Sequence, residues 1–309
     1  MSSLHELLDG GIWRIPLPMP SGPPWVNVYL LPCPGGWMLI DTGMPTPETW
    51  EALTSALADI GVAPENLRHI LLTHMHPDHC GLAPRLRELS GAEVWLHPDD
   101  AALLQSLTTT SEIPDHLDAA MLEAGTSASL RAAVLESLRR FAAVLPALAP
   151  DRLLEEGTAI DSWAGPIEVI HTPGHSPGHC CLYAPRQRLL FSSDHVIEDI
   201  TPHVGWLPGR DMLGEYLASL SRLAGFDVER ILPAHGFPFS GLADWAASTR
   251  RVHEKRLAAI EEHLADGART ADDLVRRLWP RDLRPFEYQM ALTTVLACRE
   301  HAGRRIRNN

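Results

Sequence analysis

The sequence is poor in cysteine. Its 309 residues include five cysteines, an odd number, and none of them forms a C-x-x-C pair. Disulfide-stapled secreted domains carry dense, even sets of cysteines, whereas cytosolic proteins keep their thiols reduced. We therefore expect free thiols in a cytoplasmic protein. The cysteines are Cys33, Cys80, Cys180, Cys181 and Cys298.

Long apolar segments are also missing. No apolar run approaches the ~18 residues that a membrane-spanning helix requires. Residues 1–20 lack the basic stretch followed by an apolar stretch that marks a signal peptide. We therefore expect neither export nor a membrane partner.

Positive charge is in short supply. Lys and Arg total 26 against 39 Asp and Glu, which gives a formal net charge of −13 at pH 7. An acidic surface repels phosphate backbones, so nucleic acid is not an expected partner. The exception is residues 250–307, where 13 basic and nine acidic residues give a net +4. We interpret this segment as a solvated helical surface.

Short apolar runs bounded by turn residues predict β-strands in the first third of the chain. The predicted strands are 26–31 and 37–40, which form a hairpin around "PCPGG", and then 69–73 and 93–97. Helices are predicted at 47–61 and 77–91, which end at Gly61 and Gly91. Glycine commonly closes a helix because it adopts the left-handed conformation without strain.

The composition changes in the middle of the chain. Residues 99–150 are dominated by Ala and Leu, and the helical periodicity at 129–145 predicts an all-helical insertion. From about residue 242 onward the pattern is helical again, with a predicted capping box at Thr270 and Asp273. The elements predicted between these segments are the strand 166–172, the hairpin 179–194, the helix 210–225 and the strand 229–235. This alternation is consistent with layered α/β or α+β packing.

The most informative stretch is residues 70–84, "ILLTHMHPDHCGLAP", where coordinating side chains crowd the end of a predicted strand. Side chains two residues apart point the same way in extended backbone, so His74 and His76 can hold one metal ion. A helix is predicted to begin directly afterwards, which sends Asp78 and His79 in another direction, toward a second nearby ion. The spacing therefore predicts a metal site.

Further coordinating side chains follow later strands. His175 lies in the loop "HTPGHSPGH", Asp194 ends the strand "RLLFSSD", and His235 ends "RILPAH". Strand ends on a rigid scaffold can present side chains to one shared cleft. We therefore expect these three residues to complete the metal site.

These motifs together resemble the metallo-β-lactamase-fold hydrolases over roughly residues 12–240. The resemblance implies an α+β fold, a four-layer αββα sandwich, with the helical insertion at about 99–150. We expect a catalytic domain at residues 1–240, and the helical segment at 241–309 resembles the small winged-helix-like tail of the β-lactamase-like-protein-2 group. The motifs, in the order of the family, are "LIDTG" at 39–43, "THMHPDH" at 73–79, "TPGHSPGH" at 172–179, "FSSDH" at 191–195 and "LPAHG" at 232–236.

The same resemblance implies a ligand set for two divalent ions. One ion is held by His74, His76 and His175, and the other by Asp78, His79 and His235. Asp194 bridges the two ions, and Asp41 supports a ligand without binding metal itself.

Imidazoles with carboxylates suit zinc best, and they also suit iron or manganese. A metal-bridging hydroxide is then the expected nucleophile, which makes a separate Ser or Cys nucleophile unnecessary. Asp78 could also orient the hydroxide or move a proton.

Several other residues have two interpretations. Trp25 and Trp206 lie in loops rich in Pro and Gly and could wall an apolar substrate pocket, although core or lid packing fits equally well. Tyr288 could cap the cleft from the C-terminal segment. His171, His179 and His195 lie beside proposed ligands and either orient them or serve as structural histidines.

Three functions follow from this pattern. The first is hydrolysis of a thioester, ester or lactone in a small, partly apolar substrate. The second is a phosphodiesterase acting on RNA or DNA, since the C-terminal segment resembles that of the β-lactamase-like-protein-2 group. The third is a metal-containing binding or regulatory protein with little turnover, and a mononuclear iron sulfur dioxygenase is a related outlier. The sequence is compatible with a homodimer.

Overall fold

A computed structural model describes residues 5–110 and 115–308. Residues 111–114 of the expected insertion and the chain ends, 1–4 and 309, lie outside the described residues. The described chain contains two β-sheets. The first has seven strands paired in chain order: β1 (Glu6–Leu8), β2 (Ile12–Pro18), β3 (Trp25–Cys33), β4 (Gly36–Ile40), β5 (Leu67–Leu71), β6 (Glu93–Leu96) and β7 (Arg152–Leu153).

The second sheet has five strands. These are β8 (Ala159–Ile160), β9 (Ile167–His171), β10 (Cys180–Ala184), β11 (Leu189–Ser193) and β12 (Arg230–Pro233), paired in the order β12-β11-β10-β9-β8. The predicted hairpins and the central strands are confirmed. Strand β2 was not anticipated, because its two prolines, Pro16 and Pro18, argue against a strand interior.

Strand direction brings several chain segments to one edge. In the first sheet β4, β5 and β6 are parallel, so their carboxyl ends meet. In the second sheet β9 and β11 both run antiparallel to β10, and β12 runs parallel to β11. The carboxyl ends of β9, β11 and β12 therefore also lie at a common edge.

Most helices of the described chain pack against the outer faces of the two sheets. The helices are α1 (Pro47–Ile60), α2 (Pro77–Cys80), α3 (Ala83–Ser90), α4 (Pro98–Thr110), α5 (Asp115–Glu123), α6 (Ala128–Ala143), α7 (Met212–Leu223), α8 (Leu242–Ala265), α9 (Ala271–Leu278) and α10 (Pro285–Asn308). Helix α2 lies instead at the edge where the strands end. Helices α4 to α6 confirm the all-helical insertion for its described part.

Three apolar clusters define the layers. Tyr29 and Ile40 of the first sheet pack against Phe191 and Leu232 of the second, between the two sheets. A second cluster joins α1, α3 and α4 to the outer face of the first sheet. A third joins α7 to α10 to the outer face of the second sheet. The predicted αββα sandwich is therefore confirmed, and burial of these apolar surfaces is its main source of stability.

The predicted helix 77–91 is interrupted, since α2 and α3 are separate. Pro84 has no N–H group to bond the carbonyl of Cys80, so helical hydrogen bonding cannot run through this point. Gly81 also approaches a neighbouring loop closely, because a Cβ there would lie 2.7 Å from the carbonyl oxygen of Gly43. Helix α2 is joined to the loop after β4, since the carbonyl of His79 accepts from the N–H of Thr42 at 2.7 Å.

The C-terminal segment is helical, as predicted. Its helices α8, α9 and α10 share the third apolar cluster with α7, and no strand lies among described residues 242–308. The capping box forms, with Thr270 and Asp273 bonding each other's backbone N–H groups. Within the described ranges, no helix is long and apolar enough to cross a membrane.

Candidate metal centre

Three imidazoles converge at the edge where the strands end. His76 Nδ1 lies 2.9 Å from His74 Nε2 and 3.0 Å from His175 Nε2. Asp194 Oδ2 lies 3.5 Å from His175 Nε2. One ligand atom from each of these four residues falls within 4.8 Å of the others. Ligand atoms of a tetrahedral zinc site lie about 3.3 Å apart, which is close to this spacing.

A second group faces the first. Asp78 Oδ2 lies 3.4 Å from His79 Nε2 and 3.5 Å from His235 Nε2. The other oxygen of Asp194, Oδ1, lies 3.6 Å from His79 Nε2 and 3.4 Å from His235 Nε2. The two oxygens of Asp194 therefore face the two groups separately.

Hydrogen bonds determine which nitrogen of two imidazoles faces the site. The Nδ1–H of His175 donates to the carbonyl of His203 at 2.9 Å. The Nδ1–H of His235 donates to the carbonyl of Trp25 at 3.0 Å. A carbonyl can only accept, so Nδ1 carries the proton and Nε2 presents its lone pair to the site.

The residues fit divalent cations. Among the described residues, His79 Nε2 and Asp194 Oδ1 are buried polar atoms without a hydrogen-bond partner. Buried polar atoms nearly always have partners, and a cation bound between these two atoms, which lie 3.6 Å apart, would satisfy both. Each of the two groups combines imidazoles with a carboxylate, and zinc, iron and manganese all bind such ligands.

The electrostatics of the two groups differ. Burial disfavours the charged imidazole and lowers the pKa of His76 to about 3. Burial would also lower the pKa of His79, but the carboxylates of Asp78, Asp41 and Asp194 hold it well above its usual value. His76 is therefore neutral at pH 7, as a metal-binding imidazole must be. The carboxylates around His79 attract a cation, and a bound metal ion would take the place of the proton on His79 Nε2.

Asp41 directly follows β4 and bonds two residues, Thr73 in the loop after β5 and His79 of α2. Its Oδ1 accepts from Thr73 N at 2.9 Å, and its Oδ2 accepts from His79 Nδ1 at 2.8 Å. Its φ of +60° places a non-glycine residue in the left-handed region, a strain that recurs at functional sites. Asp41 thus holds His79 in place without facing the ligand atoms.

Replacing Asp41 by asparagine is expected to weaken both the fold and the site. The amide NH₂ would face the N–H groups of Thr73 or His79, so at least one charge-assisted hydrogen bond is lost. We expect the free energy of unfolding to fall by about 1.5–3 kcal/mol and metal affinity to fall about 10–100-fold. Denaturant unfolding and metal titration measure the two effects. Exposed Asp59→Asn on α1 is the control, and wild-type values for Asp41→Asn would contradict the assigned role.

The residues proposed for a substrate pocket have different surroundings. Trp25 lies next to His235, whose Nδ1–H bonds its carbonyl, and its ring meets Phe237 edge-on at 5.5 Å. Trp206 lies beside His116 at 5.7 Å between ring centroids. Both remain candidates for a pocket wall.

Tyr288 has a packing role, contrary to its proposed place in the pocket. It is 3% exposed, and its hydroxyl bonds Thr126 Oγ1 and Asp272 Oδ1, each at 2.7 Å. These bonds tie α10 to α9 and to the loop before α6. The tyrosine stands in the helical core because its polar tip finds partners there.

The neighbouring histidines form a second layer of rings. His179 lies 5.2 Å from His74 between ring centroids, and its Nδ1 is 2.9 Å from Thr172 Oγ1. His195 packs on Tyr216 at 4.5 Å. His179 thus packs directly on His74, and His195 packs on His179 at 5.5 Å between ring centroids. His171 instead stacks on His97 at 4.0 Å, outside both groups.

Two residues near the site were not anticipated from the sequence. Phe141 of α6 lies 5.8 Å from His76 between ring centroids, and helical periodicity could not reveal which face of α6 meets the site. Asp100 bonds the loops that carry His76 and His175. Asp100 follows β6, which pairs in parallel with β5. Knowledge of this strand order would have placed Asp100 near the site.

Comparisons with known proteins agree with this geometry. The sequence profile described as the metallo-beta-lactamase superfamily matches residues 22–235. The acyl-coenzyme A thioesterase MBLAC2 of Gallus gallus is 27% identical over 238 residues, which cover 75% of this chain and 79% of that protein. An atrochrysone carboxyl ACP thioesterase of Aspergillus terreus is 24% identical over 243 residues, 79% of this chain and 59% of its own length. This chain therefore spans little more than half of the fungal relative.

Solved structures extend the likeness to nearly the whole chain. A beta-lactamase domain protein from Burkholderia ambifaria has a TM-score of 0.83 at 26% identity, and the match covers 97% of this chain and 89% of that one. A metallo-beta-lactamase family protein from Thermus thermophilus has a TM-score of 0.81 at 30% identity, with 97% and 95% covered. Because fold, strand-end histidines and sequence profile coincide, this chain belongs to the metallo-beta-lactamase superfamily.

Proposed function

We propose that this protein is a metal-dependent hydrolase that cleaves thioesters, with esters and lactones as related substrates. One observation carries the proposal: two groups of ligand atoms face each other and share the carboxylate of Asp194. The proposed ligands are His74, His76 and His175 for one divalent ion and Asp78, His79 and His235 for the other. Zinc is the preferred ion, with iron or manganese as alternatives.

The names of the relatives favour a thioester among the three carbonyl substrates. The avian relative is named an acyl-coenzyme A thioesterase and the fungal one an ACP thioesterase. Both names describe an acyl group on sulfur. A small, partly apolar acyl thioester is therefore the proposed substrate class.

When bound, two divalent ions would polarise the carbonyl and supply an activated water for its attack. The residues of the chain prepare this chemistry. The Nδ1 hydrogen bonds of His175 and His235 hold each Nε2 turned toward the site. Burial would raise the pKa of Asp78, but His79 and His235 hold it well below its usual value. Ionised Asp78 can therefore accept a hydrogen bond from a water molecule and orient it.

Aromatic rings border the proposed site on two sides. Phe141 of the helical insertion meets His76 edge-on at 5.8 Å, and the Trp25–Phe237 pair lies beside His235. Phe237 is 58% exposed, and exposed aromatic surface next to polar ligand atoms suits an apolar acyl group. The insertion thus contributes to the proposed substrate site.

Phe141→Ala is expected to shift acyl-chain preference. Loss of one apolar ring contact, worth about 1.5–3 kcal/mol, should lower kcat/KM for a long-chain acyl thioester about 10–100-fold, while an acetyl thioester changes little. The ratio of the two kcat/KM values is the measurement. Exposed Phe286→Ala on α10 is the matched control, and equal losses on both substrates would contradict the proposal.

Elemental analysis alongside a hydrolysis panel tests the function as a whole. We expect two divalent ions per chain and turnover of acyl thioesters, lost on chelation and restored by adding zinc or manganese. One iron per chain would point to the oxygenase. Bound metal without turnover of thioesters, esters, lactones or phosphodiesters would point to a binding protein.

No observation favours the phosphodiesterase alternative. Five of the 13 basic side chains of residues 250–307 are engaged by carboxylates of the same segment, which leaves the net charge at +4 but occupies these arginines. The paired arginines are Arg276, Arg277, Arg281, Arg284 and Arg304. RNA cleavage that weakens steeply with salt would revive this alternative.

The proposal extends to the domains, the location and the oligomeric state of the protein. We propose that residues 1–240 form the catalytic domain, which contains the matched range 22–235, and that residues 241–309 form an attached helical segment. Five free, buried cysteines support a reducing, cytoplasmic location. A homodimer stays a prediction that size-exclusion chromatography with light scattering would test.

A further inference from the structure

A buried carboxylate outside the proposed ligand set lies between the two loops that carry the first group of imidazoles. Asp100 is in the first turn of α4, at the start of the helical insertion, and is fully buried. It follows β6, whose carboxyl end lies beside that of β5. A buried charge is costly unless hydrogen bonds compensate it, so its partners identify its role.

All three partners of Asp100 belong to the two ligand-bearing loops. Its Oδ2 accepts from the backbone N–H of Met75 at 2.9 Å and from the hydroxyl of Ser176 at 2.8 Å. Its Oδ1 accepts from the backbone N–H of Gly178 at 2.6 Å. Met75 lies between His74 and His76, and Ser176 directly follows His175. One carboxylate therefore ties together two loops about a hundred residues apart in sequence.

The surroundings leave the carboxylate little freedom. A Cβ at position 178 would lie 2.7 Å from the backbone nitrogen of Asp100, so only glycine permits this approach. Met75 is held on its other side as well, because its carbonyl accepts from the thiol of Cys80 at 3.1 Å. The backbone between the two neighbouring histidines is thus restrained through both its N–H and its C=O group.

The charge state suits this arrangement at neutral pH. Burial raises the pKa of Asp100 to about 6, although the hydrogen bonds from Ser176, Gly178 and Met75 act in the opposite direction. The group is therefore ionised at pH 7 and acts only as an acceptor. Three donors satisfy it, and charge-assisted hydrogen bonds are the strong and directional ones.

We infer that Asp100 is a positioning residue that sets the geometry of His76 relative to His175 and thereby the affinity of the first ion position. The inference rests on the metal site of the proposed function. The distance of 3.0 Å between the ligand nitrogens of His76 and His175 depends on how the two loops are held. Groups that hold metal ligands in place typically change metal affinity about 10–100-fold when removed.

A structural role alone would have a different signature. If Asp100 served only to anchor α4, its loss would lower stability but leave the coordination of a bound ion unchanged. The visible absorption spectrum of bound Co²⁺ reports coordination geometry directly and does not depend on hydrolysis. It therefore separates positioning from simple anchoring.

The test compares Asp100→Asn with the wild type and with Asp59→Asn. Asparagine keeps the shape but presents an NH₂ group to at least one N–H donor. Asp59 is the matched control, because its exposed carboxylate on α1 belongs to none of the groups of metal-ligand atoms found among the described residues. We expect Asp100→Asn to lose metal to a competing chelator about 10–100-fold more readily, with an altered Co²⁺ spectrum. Asp59→Asn should match the wild type in both readouts.

Wild-type chelator competition and an unchanged Co²⁺ spectrum in Asp100→Asn would overturn the inference. If that variant does not fold, Ser176→Ala removes one of the three hydrogen bonds at little cost in volume. It should change both readouts in the same direction by a smaller factor, and wild-type behaviour would overturn the inference equally. A wild-type protein that binds no metal would instead refute the proposed function.

Discussion

Replacing His76 by alanine is expected to remove metal and hydrolytic activity together. The Nδ1 atom of His76 is the shared neighbour of the other two imidazoles in its group, 2.9 Å from His74 Nε2 and 3.0 Å from His175 Nε2. Without it, the first ion position retains two imidazoles and one carboxylate oxygen. Because a bound ion would contribute several kcal/mol of transition-state stabilisation, turnover should fall about a thousandfold or more.

The measurement combines metal content per chain with kcat/KM on an acyl thioester. His69→Ala is the matched control. His69 lies on β5, seven residues before His76, but its ring packs against Trp95, at 5.9 Å between ring centroids. The control should keep its metal. Normal metal content with full activity in His76→Ala would refute the assignment of the first group.

The Asp194→Asn variant should keep the fold but uncouple the two ion positions. Asp194 Oδ1 lies 3.4 Å from His235 Nε2 on one side, and Oδ2 lies 3.5 Å from His175 Nε2 on the other. An amide of the same shape has one oxygen acceptor and no charge, so it can serve only one position. Two cations close together then lose the anion that offsets their mutual repulsion.

Calorimetric metal titration measures this uncoupling. We expect one ion position to weaken by a larger factor than the other, and turnover to fall at least about a hundredfold, which is about 2.7 kcal/mol. Asp199→Asn, an exposed carboxylate on the following loop, should titrate like the wild type. Two ions bound as in the wild type with unchanged turnover would rule out the bridging role.

Local sequence determined much of this protein. The spacing of its apolar residues predicts helices and strands, because secondary structure depends mainly on neighbours along the chain. Gly61 likewise marks the end of α1, where its φ is +84°. The grouping of His74, His76, Asp78 and His79 also required no tertiary knowledge, since two-residue spacing in extended backbone aligns side chains. His175, Asp194 and His235 could be named because each ends or follows a strand.

The tertiary structure decided what depends on contacts between distant segments. Tyr288 was proposed for the pocket because tyrosine often lines ligand sites. Its hydroxyl instead bonds Asp272 of α9 and Thr126 before α6, within the helical core. Phe141 reaches His76 because the insertion folds back over the strand ends. Asp100 became visible only when strand pairing brought β6 beside β5 and placed its carboxylate between the loops of Met75 and Ser176. The residue types and their order could indicate a metal site, but strand order and helix packing determine which other side chains surround it.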